Sequence, residues 1–410
     1  MAKVKPFRAV RPERALSSLV ATRTYISYNE KSIEEKLAGN PYSFLHVLHP
    51  DRKYGLELEG VEKYPLVRNR YQDFKSNKIF IKDDKEYFYI YRQKHEGHTF
   101  TGIISSIHVD DYFNGNIKLH EETISRREEI FTEYLQVTGF NSEPVLITYS
   151  DNESINKIIE KYTSERAEYE FATTNKDIHY LWLIDNDEDI KSVIKHFEEI
   201  ENVYIADGHH RSASSANLAK VKKAEGNKVN EDVNHFMTFM IAESQLKIYS
   251  FNRLIKGLNG MTKEQLLMEL DTYYRIDNRG ESYYRPSKKH HFSMYLDGEY
   301  YSLYLRKEKF TNVNPLSDLD SQLIYETILS PILGIKDMRD DERISYQSEK
   351  KGVGSMKFKV DSGDFTVGFG LYPVSVNQLK RIADSEYNMP PKSTYIEPKL
   401  RSGLTIYEFE

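Results

Sequence analysis

The chain of 410 residues is 39% hydrophobic and 29% charged, a balance that supports two or more packed domains rather than a disordered coil. Its 57 Lys and Arg against 63 Asp and Glu leave a net charge of −6, which speaks against nonspecific nucleic-acid or membrane-surface binding; its anionic partners are expected to be small. The absence of cysteine excludes a disulfide framework, a thiolate nucleophile and cysteine metal sites, and with no apolar leader and no run of eighteen apolar residues the sequence reads as soluble and cytoplasmic.

Taken in order, the first helical pattern covers 32–37. The stretch Gly39-Asn40-Pro41-Tyr42-Ser43-Phe44-Leu45-His46-Val47 reads as a turn into a half-buried strand, with His46 packed rather than ligating. Strand-length apolar runs follow at 87–91, 102–109, 145–149, 180–184, 203–206 and 236–242. Helical spacing with acidic first turns marks 121–135 and 187–199, and 212–223 is a further helix rich in small residues. Lys118, His120 and Glu121 gather where the first of these begins; the plain reading there is a capped helix with exposed charges. No internal repeat or low-complexity tract interrupts this order.

Composition shifts near Asn259-Gly260, so a first unit is expected over 1–258 and a second, smaller α/β unit over 259–360. The second unit should hold a helix at 262–270, strands at 290–296 and 300–305 joined by the hairpin turn Asp297-Gly298, and a helix at 317–329. Residues 361–410 should return to the first unit through a strand at 365–372 and a helix at 375–383. In the tail 389–403, three prolines hold the backbone extended while Lys392, Ser393, Thr394, Lys399 and Arg401 project from it. The fold class is therefore mixed α/β.

The densest chemistry sits where the buried run 203–206 meets the helix at 212–223: Asp207-Gly208-His209-His210-Arg211. The first N–H groups of a helix lack internal partners and carry the positive end of its dipole, which stabilises an anion there. Gly208 permits positive φ and close approach, His209 and His210 donate hydrogen bonds, and Arg211 offers a fork suited to phosphate oxygens. Asp207 is costly beside an anion unless it holds a metal ion or takes a proton. Helix capping alone accounts for Asp207 but not for the three residues that follow it.

Together, Val4-Lys5-Pro6-Phe7-Arg8, Asn40-Pro41-Tyr42-Ser43-Phe44-Leu45-His46-Val47, Lys118-Leu119-His120-Glu121, Tyr204-Ile205-Ala206-Asp207-Gly208-His209-His210-Arg211 and Glu397-Pro398-Lys399-Leu400-Arg401-Ser402-Gly403-Leu404 resemble, in this order, the domain of unknown function 1015 family over nearly the whole chain. That family resembles free L-serine kinases of ParB/sulfiredoxin-like fold, some using a nucleotide and others pyrophosphate. The resemblance implies a ParB/sulfiredoxin-like core with a strand-turn-helix phosphate site. It implies that Asp207 to Arg211 bind phosphate, with Asp207 as a Mg²⁺ ligand, and that Lys118, His120, Glu121, Lys399 and Arg401 share that pocket.

The resemblance also implies a general base near the N-terminus, for which Glu30 is the candidate by position. Many members have Arg-Pro-Tyr-Asp where this chain has Arg23-Thr24-Tyr25-Ile26, which leaves Glu30 or Glu34 to serve. Glu121, Arg253 and Thr394 are candidates for holding the substrate, Arg253 for the serine carboxylate. The expected activity is in-line phosphoryl transfer to the hydroxyl of L-serine with Mg²⁺. Neither a Walker-type P-loop nor a Gly-x-Gly-x-x-Gly motif is present, so pyrophosphate is preferred as donor over ADP or ATP. A regulatory module that binds phosphate or nucleotide without turnover, and a phosphohydrolase, are the alternatives.

Overall fold

All six apolar runs of the first unit become strands of one sheet, because each is long enough to cross a core and too continuous to face water on either side. The computed structural model describes residues 2–24, 27–226 and 230–409; Tyr25 and Ile26 of the Arg23–Ile26 stretch lie outside them. The protein is mixed α/β, and its chain divides into two compact units.

The first unit comprises 1–118, 123–246 and 398–410. Its nine-stranded sheet runs in the order Tyr169–Ala172, Ile178–Ile184, Phe88–His95, His98–His108, His235–Ala242, Val145–Tyr149, Val203–Asp207 and Ile117–Lys118, with Val4–Lys5 added beside His98–His108. Pairing is antiparallel except where His235–Ala242 meets Val145–Tyr149 and where Val203–Asp207 meets Ile117–Lys118. Every residue of His235–Ala242 is buried, as a central strand covered on both faces requires. The flanking helices start where their caps dictate: Asn152 accepts from Ser154 and Ile155 at the head of Glu153–Thr163, and Asn186 from Glu188 and Asp189 at the head of Asp187–Glu198. Among the described residues no helix is long and apolar enough to cross a membrane.

The second unit comprises 119–122 and 247–397. Its six-stranded antiparallel sheet has the order Tyr274–Gly280, Glu299–Leu305, His291–Leu296, Val367–Leu371, Phe251–Ile255 and Ile344–Ser348. Asp297 and Gly298 both take positive φ, +51° and +80°, as the hairpin signal required. Leu266, Leu270, Leu323, Ile328 and Phe369 pack in its main core.

Three expectations are corrected. The division does not follow 1–258, 259–360 and 361–410, because Phe251–Ile255 pairs with both Ile344–Ser348 and Val367–Leu371, which ties 247–258 and 361–397 to the second unit. Only the last stretch, 398–410, belongs to the first. Residues 44–48 form a short helix, Leu45–Leu48, instead of a strand; a five-residue apolar run suits either, and burial of Phe44, Leu45 and Val47 on one side decides. His46 is packed as expected, its ring nitrogen bonded to the carbonyl of Asn40 at 3.0 Å. The helix expected at 121–135 begins at Ser125, since Ile117–Lys118 continues the sheet and 119–122 join the second unit.

The middle of the large sheet tolerates no added volume at Gly102, where a Cβ would lie 2.3 Å from the Met240 carbonyl oxygen and 2.8 Å from the Phe239 ring. Gly102→Ala should cost about 1–3 kcal/mol by overpacking. Gly39→Ala, with nothing within 4 Å, should leave stability unchanged or slightly raised. Thermal melts of the two variants check this; equal midpoints would show that the sheet has room.

Candidate functional site

The turn after Val203–Asp207 is shaped by its own backbone. The register against Val145–Tyr149 slips between Ile205 and Asp207, a bulge that re-aims the Asp207 carboxylate out of the ladder. Gly208 follows with φ +103°, a conformation L side chains rarely adopt, and caps the 16-residue helix His209–Ala224. The small residues Ser212, Ala213, Ser214, Ser215 and Ala216 are buried. They let the helix lie close to Ser125–Thr138, where Ser214 Oγ donates to the Glu128 carbonyl at 3.2 Å.

Asp207 is the hub of the side-chain geometry. Lys399 Nζ lies 2.9 Å from its Oδ1 and Arg211 Nη2 donates to its Oδ2 at 3.1 Å. Burial alone would push this carboxyl upward, but Lys399 and then Arg211 outweigh it and hold Asp207 below the usual carboxylate range. Arg211 is spent differently from the expectation of a free fork: its Nη1 also pairs with Glu143 Oε1 at 2.9 Å and donates to the Pro144 carbonyl at 2.5 Å. Its guanidinium lies over Gly208, so that a Cβ there would come within 3.0 Å of it. The space expected above Gly208 for a ligand is filled by the protein's own cation. His209 is buried and His210 half-buried at the head of the helix, where Ser212 Oγ donates to the His209 carbonyl at 2.9 Å.

The remaining expected residues fall in several places. Lys118 pairs in register with Tyr204, three positions before Asp207. Arg401 is buried and donates to Asp177 Oδ2 at 3.1 Å and to His179 Nε2 at 3.3 Å. Its role is an internal ion pair, not the turn at 207. Glu30 opens the helix Glu30–Gly39, is 70% exposed, and pairs with Arg52 at 2.5 Å. His120, Glu121, Arg253 and Thr394 belong to the second unit. There the His120 carbonyl accepts from the Met389 N–H at 2.8 Å. Among the described residues no three His, Asp or Glu gather as a metal-ligand cluster.

Residues 4–322 match the model of the DUF1015 family, described as a protein of unknown function. The chain belongs to this family. No curated protein matches it. Among solved structures it is similar to SbnI with C-terminal truncation from Staphylococcus aureus, at 14% identity over 72% of this chain and 82% of that one, with a TM-score of 0.38. It is also similar to a free serine kinase in complex with AMP (12% identity, 72% and 88% covered, TM-score 0.33) and to a conserved hypothetical protein from Pyrococcus furiosus (13%, 72% and 91%, 0.34).

Two parts of this DUF1015 chain were missed from the sequence. One is a cavity of about 330 Å³ in the first unit, walled by Tyr64, Phe131, Tyr134 and Phe140 and reaching Glu143 and Arg211. Its walls come from helices far apart in sequence, and no local pattern marks them. The other is the network behind Arg401. Arg401 Nε donates to His179 Nε2, which leaves the proton on Nδ1, facing the Tyr91 hydroxyl at 2.7 Å. Burial first, and the Arg401 charge second, push the His179 pKa down to about 3.

His179 thus stays neutral in the fold while the unfolded chain takes up its proton near pH 6.5. Its contribution is complete above that pH and is lost as pH falls toward 3. The melting temperature of the wild type should therefore drop more steeply from pH 7 to 4 than that of His179→Gln, which can accept from Arg401 and donate to Tyr91. Parallel slopes would show that His179 does not carry this dependence.

Proposed function

We propose that this DUF1015 member is a phosphotransferase that moves a phosphoryl group onto the hydroxyl of free L-serine, giving O-phospho-L-serine. The observation that carries the reading is the Asp207 carboxylate, with Lys399 at 2.9 Å and Arg211 at 3.1 Å, at the head of a helix capped by a left-handed glycine. Two cations and the N-terminus of the helix meet at one point, and the carboxylate that gathers them keeps the site from being an unbalanced positive cluster. His209 and His210, first in that helix, supply further donors to the oxygens of the transferring group.

In the reaction the serine oxygen attacks phosphorus in line, the bond from phosphorus to the leaving oxygen breaks, and the serine proton passes to a carboxylate. Positioning and charge neutralisation are what such a transfer asks of the protein. Glu30 holds the role of base by the family resemblance; its exposure and its pair with Arg52 give it no independent structural support. Asp207 would be the one residue to hold a Mg²⁺, and since its oxygens already meet Lys399 and Arg211 it fits an ion that arrives with the donor and not one held by the protein alone. When bound, that ion would supply charge neutralisation between the donor phosphates.

The donor divides into two readings. A compact anion such as pyrophosphate suits the two cations, Arg211 and Lys399, that Asp207 gathers. The aromatic-walled cavity beside Arg211 supports instead a donor that carries a base, ADP or ATP, because planar rings stack and bury well against such walls.

Phosphorus NMR of the protein with Mg²⁺ and L-serine, supplied separately with pyrophosphate, ADP or ATP, should show O-phosphoserine with one donor. His210→Ala and Asp207→Asn should each lower turnover about a hundredfold or more while the fold persists. Donor binding without phosphoserine would favour the regulatory module, and phosphate release that serine does not suppress would favour the hydrolase.

A further inference from the structure

The second unit carries a buried arginine that its own fold leaves unsatisfied. Arg253 lies on Phe251–Ile255, in register with Phe369 and Tyr346, and is fully buried. Its Nη1 donates to the Phe251 carbonyl at 2.5 Å, and its guanidinium carbon lies 5.5 Å from the centre of the Tyr346 ring, so the plane of the group is fixed. Nε and Nη2 make no hydrogen bond. These two N–H groups stand side by side on one edge of the guanidinium, the edge that pairs with both oxygens of a carboxylate or phosphate. Burial lowers the pKa of Arg253, against the opposing pull of Tyr346 and Asp320, only to about 10, so the group is charged at neutral pH. An uncompensated buried charge is a stability cost, and its persistence points to use.

The second group is Asp320, which is buried and takes a backbone hydrogen bond from Tyr372, three residues beyond Phe369, the cross-strand partner of Arg253; its charge acts on Arg253. Its Oδ1 accepts from the His290 N–H at 2.9 Å and the Tyr372 backbone N–H also serves the carboxylate, while Oδ2 has no partner at hydrogen-bond geometry. Burial pushes its carboxyl up to about 7, close enough to neutrality for a ligand cation to fix it as the anion. The neighbouring Ser321 accepts from Ser393 Oγ at 2.8 Å, so the tail segment 389–394 borders the pair.

We infer that Arg253 and Asp320 form a site for the zwitterionic head of a free α-amino acid, Arg253 Nε and Nη2 taking the carboxylate and Asp320 Oδ2 the ammonium. A phosphate dianion would satisfy Arg253 but set a second negative charge toward Asp320, which favours the zwitterion. Because Arg253 and Asp320 are buried, entry requires a covering segment to move; Lys392 lies over the Phe251 ring and Ser393 bonds Ser321, which puts the tail beside a neighbour of each residue. The site stands on the second unit alone; that its ligand is L-serine rests on the phosphotransfer reading above.

The test is isothermal titration of the full chain, with no phosphoryl donor, using L-serine, glycine and L-alanine as probes. Ethanolamine lacks the carboxylate and 3-hydroxypropionate lacks the amine. At least one amino acid should bind, with both truncated probes about tenfold weaker or worse. Arg253→Met should weaken binding about a hundredfold through loss of two charge-assisted hydrogen bonds and should raise the melting temperature by removing an unpaired charge. Arg253→Lys keeps the charge without the paired edge, should show the same loss of affinity, and decides the matter if Arg253→Met does not fold. Silence from all three amino acids, equal binding of ethanolamine, or wild-type affinity in Arg253→Lys overturns the site. Amino-acid binding in a chain that forms no phosphoserine would overturn the kinase reading and leave this one standing.

Discussion

The pairing of Asp207 with Lys399 spans 192 residues, and the candidate site depends on it. The turn at 207–211 is local and forms wherever the strand and helix meet. Lys399 reaches it only because the last stretch of the chain leaves the second unit and is fastened back onto the first. Those fastenings are of several kinds: Arg401–Ser402 pairs with Thr22–Arg23, Tyr407–Glu408 with Phe140–Asn141, and the Glu408 carboxylate takes both Lys75 and Lys82. Ser402 Oγ donates to Glu143 at 3.0 Å, and Glu143 also holds Arg211. One segment thus delivers Lys399 directly and steadies Arg211 through an intermediate. Contacts of such long sequence separation close late in folding, after the loops they join have been ordered.

Several buried or half-buried charges of the first unit have a fixed opposite. Asp207 has two cations, Arg401 has Asp177, and buried Arg11 has Asp83 at 2.8 Å. Partnered charges of this kind set geometry more than they add stability, because desolvation offsets most of the attraction. In the second unit Lys350 pairs with Glu397, whereas Nε and Nη2 of buried Arg253 have no hydrogen-bond partner. Buried donors left unsatisfied are informative, since local rules fail first at positions kept for a ligand.

Much of this was legible in the residues. Continuous apolar runs located six strands of the large sheet, since a strand covered on both faces must be apolar throughout. Helical spacing located 187–199, 212–223 and 375–383, and Asp297-Gly298 placed a hairpin. The turn at Asp207 was visible because five consecutive residues carry its chemistry. What escaped has a common cause, namely partners distant in sequence. Nothing near Arg211 announces that Glu143 and Pro144 will engage it, or that helices 64–76 and 125–138 will wall a cavity beside it. The edge strands Tyr274–Gly280 and Ile344–Ser348 escaped for another reason: one side faces water, and their polar residues hide the alternation. The boundary near 259 misled because a composition shift marks a loop, whereas a unit is defined by which strands pair.

Gly208 and Arg211 illustrate how a short motif can behave as one inheritable unit. The guanidinium that reaches Asp207 and Glu143 passes within about van der Waals distance of the space a methyl group at 208 would fill, and the backbone there is left-handed as well. A larger residue at 208 is admissible only with a shorter one at 211, and a shorter one at 211 abandons both carboxylates. Drift at either position is thereby constrained by the other, so across descendants of this chain the two positions should be retained together or lost together.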